Sequence, residues 1–211
     1  VKQLLGVSEE IIEEGLINLK ANEDIVIEKR DEEEWVYLYS FYKTENEIAE
    51  RIIKLKNTKN VKKVSNIEKE LKKVEEKTDM ILSEKQKEAI KTINENNVTI
   101  ITGGPGTGKT TIIKSIIEIY KQRKYKIVLC APTGRAAKRM TETTGEEAQT
   151  LHRLLEIGKV DDDVFYKKDK DFEGAPIDAD IIIVDEMSMV DMFVMSYLLD
   201  CIYLGTKLIL V

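Results

Sequence analysis

The sequence of 211 residues is poor in the side chains that build metal and disulfide sites. It holds one histidine and two cysteines. A single histidine cannot assemble the usual ligand set of a zinc site. Cys130 and Cys201 stand about seventy positions apart inside apolar runs, which argues against a disulfide framework and favours reduced core thiols in a cytosolic protein.

Long apolar runs and an excess of basic residues are also missing. No stretch approaches the roughly 18 apolar residues that a membrane span needs, and the first residues, 1–6, lack the apolar core of an export signal. We therefore expect a cytoplasmic protein with no membrane partner. The 33 Lys and Arg residues against 39 Asp and Glu give a net charge of -6, so any contact with nucleic acid requires a local basic patch.

The first 42 residues read as a helix followed by a hairpin. Ser8 is placed to cap the helix, and two β-rich runs, 24–28 and 35–39, are separated by charged residues. This order is compatible with the end of a winged-helix-like module over residues 1–42. A small α+β appendage without a partner fits the same pattern, and the sequence does not decide between them.

Residues 43–79 are predicted to be a helical linker. A capping-box pattern at 44–47 predicts the start of one helix, and Ser65 predicts the start of another. The lysine-rich stretch 54–77 is able to touch phosphates, but its glutamates compensate the charge, as on a solvated helix.

From residue 80 onward, short β-branched runs alternate with amphipathic helices. This pattern is typical of a parallel sheet covered by helices on both faces, and it predicts an α/β domain over 80–211. We expect strands at 98–102, 126–131, 180–185 and 207–211, and helices at 84–95, 109–124, 135–143, 150–157 and 190–202.

A phosphate-binding loop follows the first of these strands. The residues fit the pattern G-x-x-x-x-G-K-[ST] between a strand and a helix; the residues expected to bind nucleotide are Gly103, Gly104, Pro105, Gly106, Thr107, Gly108, Lys109, Thr110 and Thr111. Glycines let backbone amides approach a phosphate, and the helix start favours the anion. Lys109 is expected to reach the β and γ phosphates of ATP, and the Thr110 hydroxyl to ligate Mg²⁺.

Two carboxylates follow the apolar run 181–184. Ligands of open α/β sheets bind at the carboxyl ends of the strands, so Asp185 is able to meet the Mg²⁺ held by Thr110. Glu186 is placed to orient and deprotonate the attacking water. Together with Lys109 these are the predicted catalytic residues, and the acidic pair favours a hydrolase over a small-molecule kinase.

Gln86 allows two interpretations. In the sequence Ser83-Glu84-Lys85-Gln86 its side chain completes a capping box. Its amide also has the donor and acceptor that pair with adenine. The residues alone leave both open.

Five motifs occur in order along the chain: 82–86, the phosphate loop, 131–140 (Ala-Pro-Thr-Gly-Arg-Ala-Ala-Lys-Arg-Met), 150–155 and 184–191. This order resembles superfamily 1 DNA helicases of the RecD/TraA type, which move 5′ to 3′ along single-stranded DNA. The resemblance covers about residues 80–211 and implies a RecA-like P-loop NTPase fold. It favours the adenine role of Gln86.

The resemblance also implies a track for single-stranded DNA. The residues placed on it are Pro132, Thr133, Gly134, Arg135, Arg139, Thr150 and His152. Hydroxyls, guanidinium groups and an imidazole suit phosphates and base faces, although the basic residues also fit a solvated helix face. The implied partners are single-stranded DNA, single/double-strand junctions and a second RecA-like domain of a longer chain, in DNA recombination or repair.

The resemblance raises two further expectations. Residues 158–176 lie where such helicases place a small hairpin pin. The sequence ends where the family continues with a sensor motif, so we expect a fragment that binds Mg-ATP weakly, hydrolyses it slowly and does not unwind DNA. An AAA-type ATPase and a protein-binding module with a vestigial nucleotide pocket are the alternatives.

Overall fold

A computed structural model gives the structure of residues 2–59, 61–79, 81–157 and 174–211. Most of the segment expected to form the hairpin pin, residues 158–173, lies outside these described residues. Across the described ranges no helix is both long and apolar enough to cross a membrane.

The chain begins with two helices and a hairpin. Helices α1 (Lys2–Leu5) and α2 (Glu9–Ala21) precede strands β1 (Ile25–Arg30) and β2 (Glu33–Leu38). The strands are antiparallel, with Ile25 opposite Leu38 and Arg30 opposite Glu33. The predicted helix-plus-hairpin order is confirmed. Ser8 occupies the predicted cap position of α2, but its side chain makes no capping hydrogen bond.

Two helices fill the region predicted as a helical linker. Helix α3 spans Tyr39–Asn57 and α4 spans Ile67–Thr78. The capping box predicted at 44–47 is wrong, because α3 begins directly after β2 with Leu38 as its N-cap, and Thr44 is buried inside the helix. No turn residue separates this strand from this helix. The predicted three-part division of the chain stays a prediction.

The rest of the described chain alternates helices and strands around one parallel sheet. The elements are α5 (Glu84–Glu95), β3 (Val98–Ile100), α6 (Lys109–Lys121), β4 (Ile127–Ala131), α7 (Gly134–Thr144), β5 (Ala148–Thr150), α8 (Leu151–Leu154), β6 (Ile181–Val184), α9 (Met192–Asp200) and β7 (Lys207–Leu210). The strands lie in the order β3-β7-β6-β4-β5, and all neighbours are parallel. The predicted α/β class is confirmed.

The differences from the predicted elements are local. The helix predicted over 150–157 is only α8, because Thr150 is instead the last residue of β5, a strand not predicted. A 3-10 turn at Met187–Met189 and the Asp191 cap delay the start of α9 to Met192. In β5 the residues Ala148-Gln149-Thr150 lack an apolar run, so only their pairing with β4 makes them a strand.

The sheet separates two apolar cores. Ile181 and Ile183 of β6 belong to one core and Ile182 and Val184 to the other, as the alternation of side chains along a strand requires. The first core also receives Leu71 and Val74 from α4, Ile90 and Ile93 from α5, and Ile113 and Ile116 from α6. The second receives Leu55 from α3, Leu151 from α8, and Val194 and Leu198 from α9.

Two buried asparagines join Leu55, Thr58 and Val64 to the end of α5 and to the residue before β3. The Asn97 side-chain nitrogen donates to the backbone carbonyls of Leu55 (3.1 Å) and Thr58 (2.7 Å). The Asn94 side chain accepts from the Val64 amide (2.8 Å) and donates to the Val64 carbonyl (3.1 Å). Such buried hydrogen bonds fix relative position, because leaving either partner unpaired is costly.

Candidate nucleotide site

The phosphate loop lies between β3 and α6, and its backbone requires glycine at two positions. Gly106 and Gly108 have φ values of 75° and 83°, which side chains with a Cβ rarely adopt. A Cβ on Gly108 would stand 2.2 Å from the Gln86 amide nitrogen. The Gly-rich sequence is therefore needed both for the curvature of the loop and for the close approach of Gln86.

Side chains of the loop bind its own carbonyls. The Lys109 ammonium donates to the carbonyls of Gly103 (2.6 Å) and Gly104 (3.2 Å), and the Thr107 hydroxyl donates to the Gly104 carbonyl (2.9 Å). The Lys109 charge is thereby held against the loop. A triphosphate lying in the loop would exchange these carbonyls for its own oxygens as partners of the ammonium.

Helix α6 directs its amino end at the loop. Its N-cap is Gly108, in the left-handed region, with no side-chain cap. The first N–H groups of a helix have no partner within it, and together with the helix dipole they favour an anion. The helix is fixed by buried residues, among them Ile113 and Ile116. A phosphate bound here meets a rigid helix end.

The Gln86 side chain connects α5 to the loop. The Gln86 side-chain oxygen accepts a hydrogen bond from the backbone N–H of Ser83 (2.9 Å). The Ser83 hydroxyl accepts one from the backbone N–H of Gln86 (3.3 Å). The capping box is therefore confirmed. The Gln86 side-chain nitrogen also donates to the Thr107 carbonyl (3.4 Å), a contact that the sequence did not indicate. Each polar atom of this amide keeps a further site for a ligand.

The acidic pair stands at the carboxyl end of β6. The Asp185 backbone N–H donates to the Cys130 carbonyl (3.0 Å), which extends the strand by one residue. The Asp185 carboxylate accepts from the Glu186 amide (2.9 Å). Glu186 has a φ of 56°, so the chain turns sharply there. Both side chains are half-buried and lie beyond the sheet edge.

Thr110 and Asp185 approach the same edge of the sheet. The strand that leads into the loop, β3, is separated from β6 by β7 alone, and two strand spacings amount to about 10 Å. A hydroxyl and a carboxylate are oxygen ligands of the kind that Mg²⁺ prefers, with phosphate oxygens and waters completing its shell. The donor set fits a magnesium ion shared with a triphosphate.

The residues expected to bind DNA follow β4 and β5 at the same edge. Ala131 of β4 pairs with Thr150 of β5. The hydroxyls of Thr133 and Thr150 accept from the backbone N–H groups of Ala136 and Arg153, both at 3.2 Å. Both threonines thus cap helices, and each hydroxyl keeps a proton to donate.

Other members of the predicted track differ in exposure. Arg135 and Arg139 on α7 are exposed, Pro132 and His152 are half-buried, and Gly134 begins α7. Thr150 ends β5 and Pro132 follows β4 at this edge, whereas Arg139 lies in the second turn of α7.

Residues 86–211 match the family model described as AAA domain. The chain belongs to this AAA domain family. Among its relatives is the ATP-dependent RecD2 DNA helicase of Deinococcus radiodurans, 38% identical over 62% of this chain and 17% of the relative. The RecBCD enzyme subunit RecD of Buchnera aphidicola subsp. Acyrthosiphon pisum is 36% identical over 83% of this chain and 31% of the relative. The predicted resemblance to RecD-type helicases is confirmed.

The chain spans a third or less of the length of these two relatives. Among solved structures, Bacteroides Pif1 bound to single-stranded DNA has a TM-score of 0.42 with this chain, at 24% identity over 62% of this chain and 32% of that one.

Proposed function

We propose that this chain is the nucleotide-binding part of an ATP-dependent DNA helicase. The observation that supports the proposal is that the phosphate loop and the acidic pair Asp185-Glu186 follow β3 and β6 at the carboxyl edge of the parallel sheet, with only β7 between these strands. Two relatives, whose names state a DNA helicase and a RecBCD subunit, support a helicase over a ring-forming ATPase or a vestigial pocket.

The chemistry assigns each residue a role. Lys109 and the amides of the loop would hold the phosphates. Thr110 and Asp185 would hold Mg²⁺, which when bound would neutralise charge on the phosphate oxygens. Glu186 takes the proton of the attacking water. Gln86 contacts the adenine base through the side-chain acceptor site and N–H that are not used by the capping box or the loop.

Single-stranded DNA is the proposed substrate track. Thr133 and Thr150 offer hydroxyls, Arg135 and Arg139 offer exposed charge, and the His152 ring offers a face on which a base can stack. The whole enzyme would use ATP hydrolysis to move 5′ to 3′, open single/double-strand junctions, and serve recombination or repair in the cytoplasm. It would do so with a second RecA-like domain of the full-length chain.

The DNA part of the proposal is tested by salt-dependent binding of a single-stranded oligonucleotide. We expect binding to weaken as salt rises, and the slope of log affinity against log salt to fall by about one unit in Arg135→Ala. Lys114→Ala, which removes an exposed charge from the middle of α6, is the matched control and should leave the slope unchanged. Equal slopes in all three proteins would remove α7 from the track.

A further inference from the structure

Glu75 of α4 contacts both sides of the α5 start. One oxygen of its carboxylate accepts from the Leu82 amide (2.9 Å) and lies 3.1 Å from the Lys87 ammonium. The Glu75 and Lys87 side chains are only 19% and 25% exposed. Both bonds are therefore partly shielded from water, where charged hydrogen bonds are strongest.

These two bonds bracket the capping box that carries Gln86. Leu82 immediately precedes Ser83, and Lys87 immediately follows Gln86. The same turn sends the Gln86 side chain to the Thr107 carbonyl of the phosphate loop. A small outward shift of this turn would break the hydrogen bond of the Gln86 side chain to the loop, because the two atoms are already 3.4 Å apart.

Helix α4 is itself fixed to the helix that begins at the loop. Leu71 and Val74 of α4 lie in the same core as Ile113 and Ile116 of α6. Lys77 pairs with Glu118 of α6 at 2.6 Å. Helix α4 thus connects the two helices whose amino ends border the nucleotide site.

We propose that Glu75 is a positioning residue that holds Gln86 beside the phosphate loop and thereby sets the preference for an adenine nucleotide. The inference rests on the proposed function, since it requires Gln86 to contact the base. In this proposal Glu75 acts on the nucleotide through the first turn of α5. Its loss should weaken recognition of adenine and leave the phosphate contacts of Lys109 intact.

The charge state supports this role. The hydrogen bond from the Leu82 amide, followed by that from Lys87, lowers the pKa of Glu75 below its usual value. The same pairing raises the pKa of Lys87. Both groups are charged at neutral pH, so the contact is intact under the conditions of nucleotide binding.

A second ion pair between the same helices supplies a matched control. Glu68 of α4 pairs with Lys91 of α5 at 2.8 Å, one turn further from the capping box, with Glu68 71% exposed. Glu68→Ala removes an α4–α5 ion pair without touching the turn that carries Gln86. It separates a specific effect on the site from a general loosening of the two helices.

The experiment measures dissociation constants of the 211-residue chain for Mg-ATP and Mg-GTP, alongside melting temperatures. In Glu75→Ala we expect the dissociation constant for Mg-ATP to rise about tenfold, as loss of the proposed hydrogen bonding between Gln86 and adenine implies, while that for Mg-GTP changes less than twofold. Glu75→Gln, which retains an acceptor oxygen, should recover part of the ATP preference. Glu68→Ala should keep the wild-type ratio of the two constants.

Further variants distinguish the possible failures. Lys109→Ala should abolish binding of both nucleotides. A folded Glu75→Ala protein with an unchanged ATP-to-GTP ratio overturns the positioning role alone, whereas a wild-type chain without affinity for Mg-ATP overturns the proposed function and this inference with it. If Glu75→Ala does not fold, Glu75→Gln and Lys87→Met are measured in its place. An unchanged ratio of the Mg-ATP and Mg-GTP dissociation constants in both variants overturns the positioning role.

Discussion

Residues 2–38 and residues 39–79 both precede the nucleotide site, but they are packed very differently. Among the described residues 2–38 only Ile25 is buried, and Ile17, Trp35 and Leu38 are at least half exposed. Residues 39–79 place Leu55 in one core of the sheet and Leu71 in the other. The first segment is attached to the folded core, whereas the second is part of it.

This difference in burial changes the interpretation of helices α3 and α4. The sequence of α4 and of the end of α3 is rich in lysine and typical of a solvated linker. One apolar stripe of α4 nevertheless packs on α6, and α3 packs on α9, where Phe41 meets Phe193 edge to face at 5.2 Å. Helices that look like a connection therefore support the two sides of the nucleotide domain.

The largest expected difference between the segments is in stability. Leu55→Ala should lower the free energy of unfolding by about 2–5 kcal/mol, because Leu55 is 2% exposed and packs against the second core. Ile17→Ala in α2, where the side chain is 68% exposed, should change it by less than about 0.5 kcal/mol. Chemical denaturation of both variants measures the two values.

Equal losses of unfolding free energy in Leu55→Ala and Ile17→Ala would contradict the comparison. A large cost at Ile17 would mean that residues 2–38 fold as one unit with the sheet. A small cost at Leu55 would mean that α3 is not needed by the second core.

A smaller difference between the two segments is expected in how much stability an ion pair contributes as the pH falls. Glu70 of α4 is 3% exposed, and its hydrogen bond with Lys73 is the main cause that lowers its pKa. Arg123, in the turn after α6, donates a second hydrogen bond to Glu70 at 3.1 Å. A lowered carboxyl pKa contributes stability above its usual value near 4.5, and this stability is lost as pH falls through the lowered pKa.

Glu70→Gln should therefore lower the free energy of unfolding by on the order of 1–3 kcal/mol at pH 7. This loss should become smaller below pH 4. In the hairpin, Glu28 pairs with Arg30 at 2.6 Å on an exposed surface, and Glu28→Gln should give no resolved change at either pH. Denaturation curves at several pH values measure both. A pH-independent cost for Glu70→Gln would assign its effect to packing instead of charge.

Much of the nucleotide site was predictable because its signals are local. The glycines of the phosphate loop, the capping box at Ser83 and the acidic pair after β6 each depend on neighbouring residues. The apolar runs at 127–131 and 181–184 also identify their own strands. Local geometry and burial on both faces leave such segments few alternatives.

The parts that the sequence did not predict depend on distant contacts. Strand β5 exists because Ala148–Thr150 pairs with β4. The Gln86 contact with Thr107 and the Glu75 contacts with the α5 start arise only when three helices pack together. The position of the α3 start was missed because β2 runs into that helix without a turn residue between them.

The proposal that the phosphate loop and Asp185 share a magnesium-triphosphate is tested most directly by the Mg²⁺ dependence of ATP binding. The wild-type chain should bind ATP more tightly with Mg²⁺ than with a chelator, and Thr110→Ala and Asp185→Asn should each remove most of that difference. Binding that is equally tight with and without Mg²⁺ in the wild type, or an unchanged Mg²⁺ effect in both variants, would contradict the assignment of this edge as the nucleotide site.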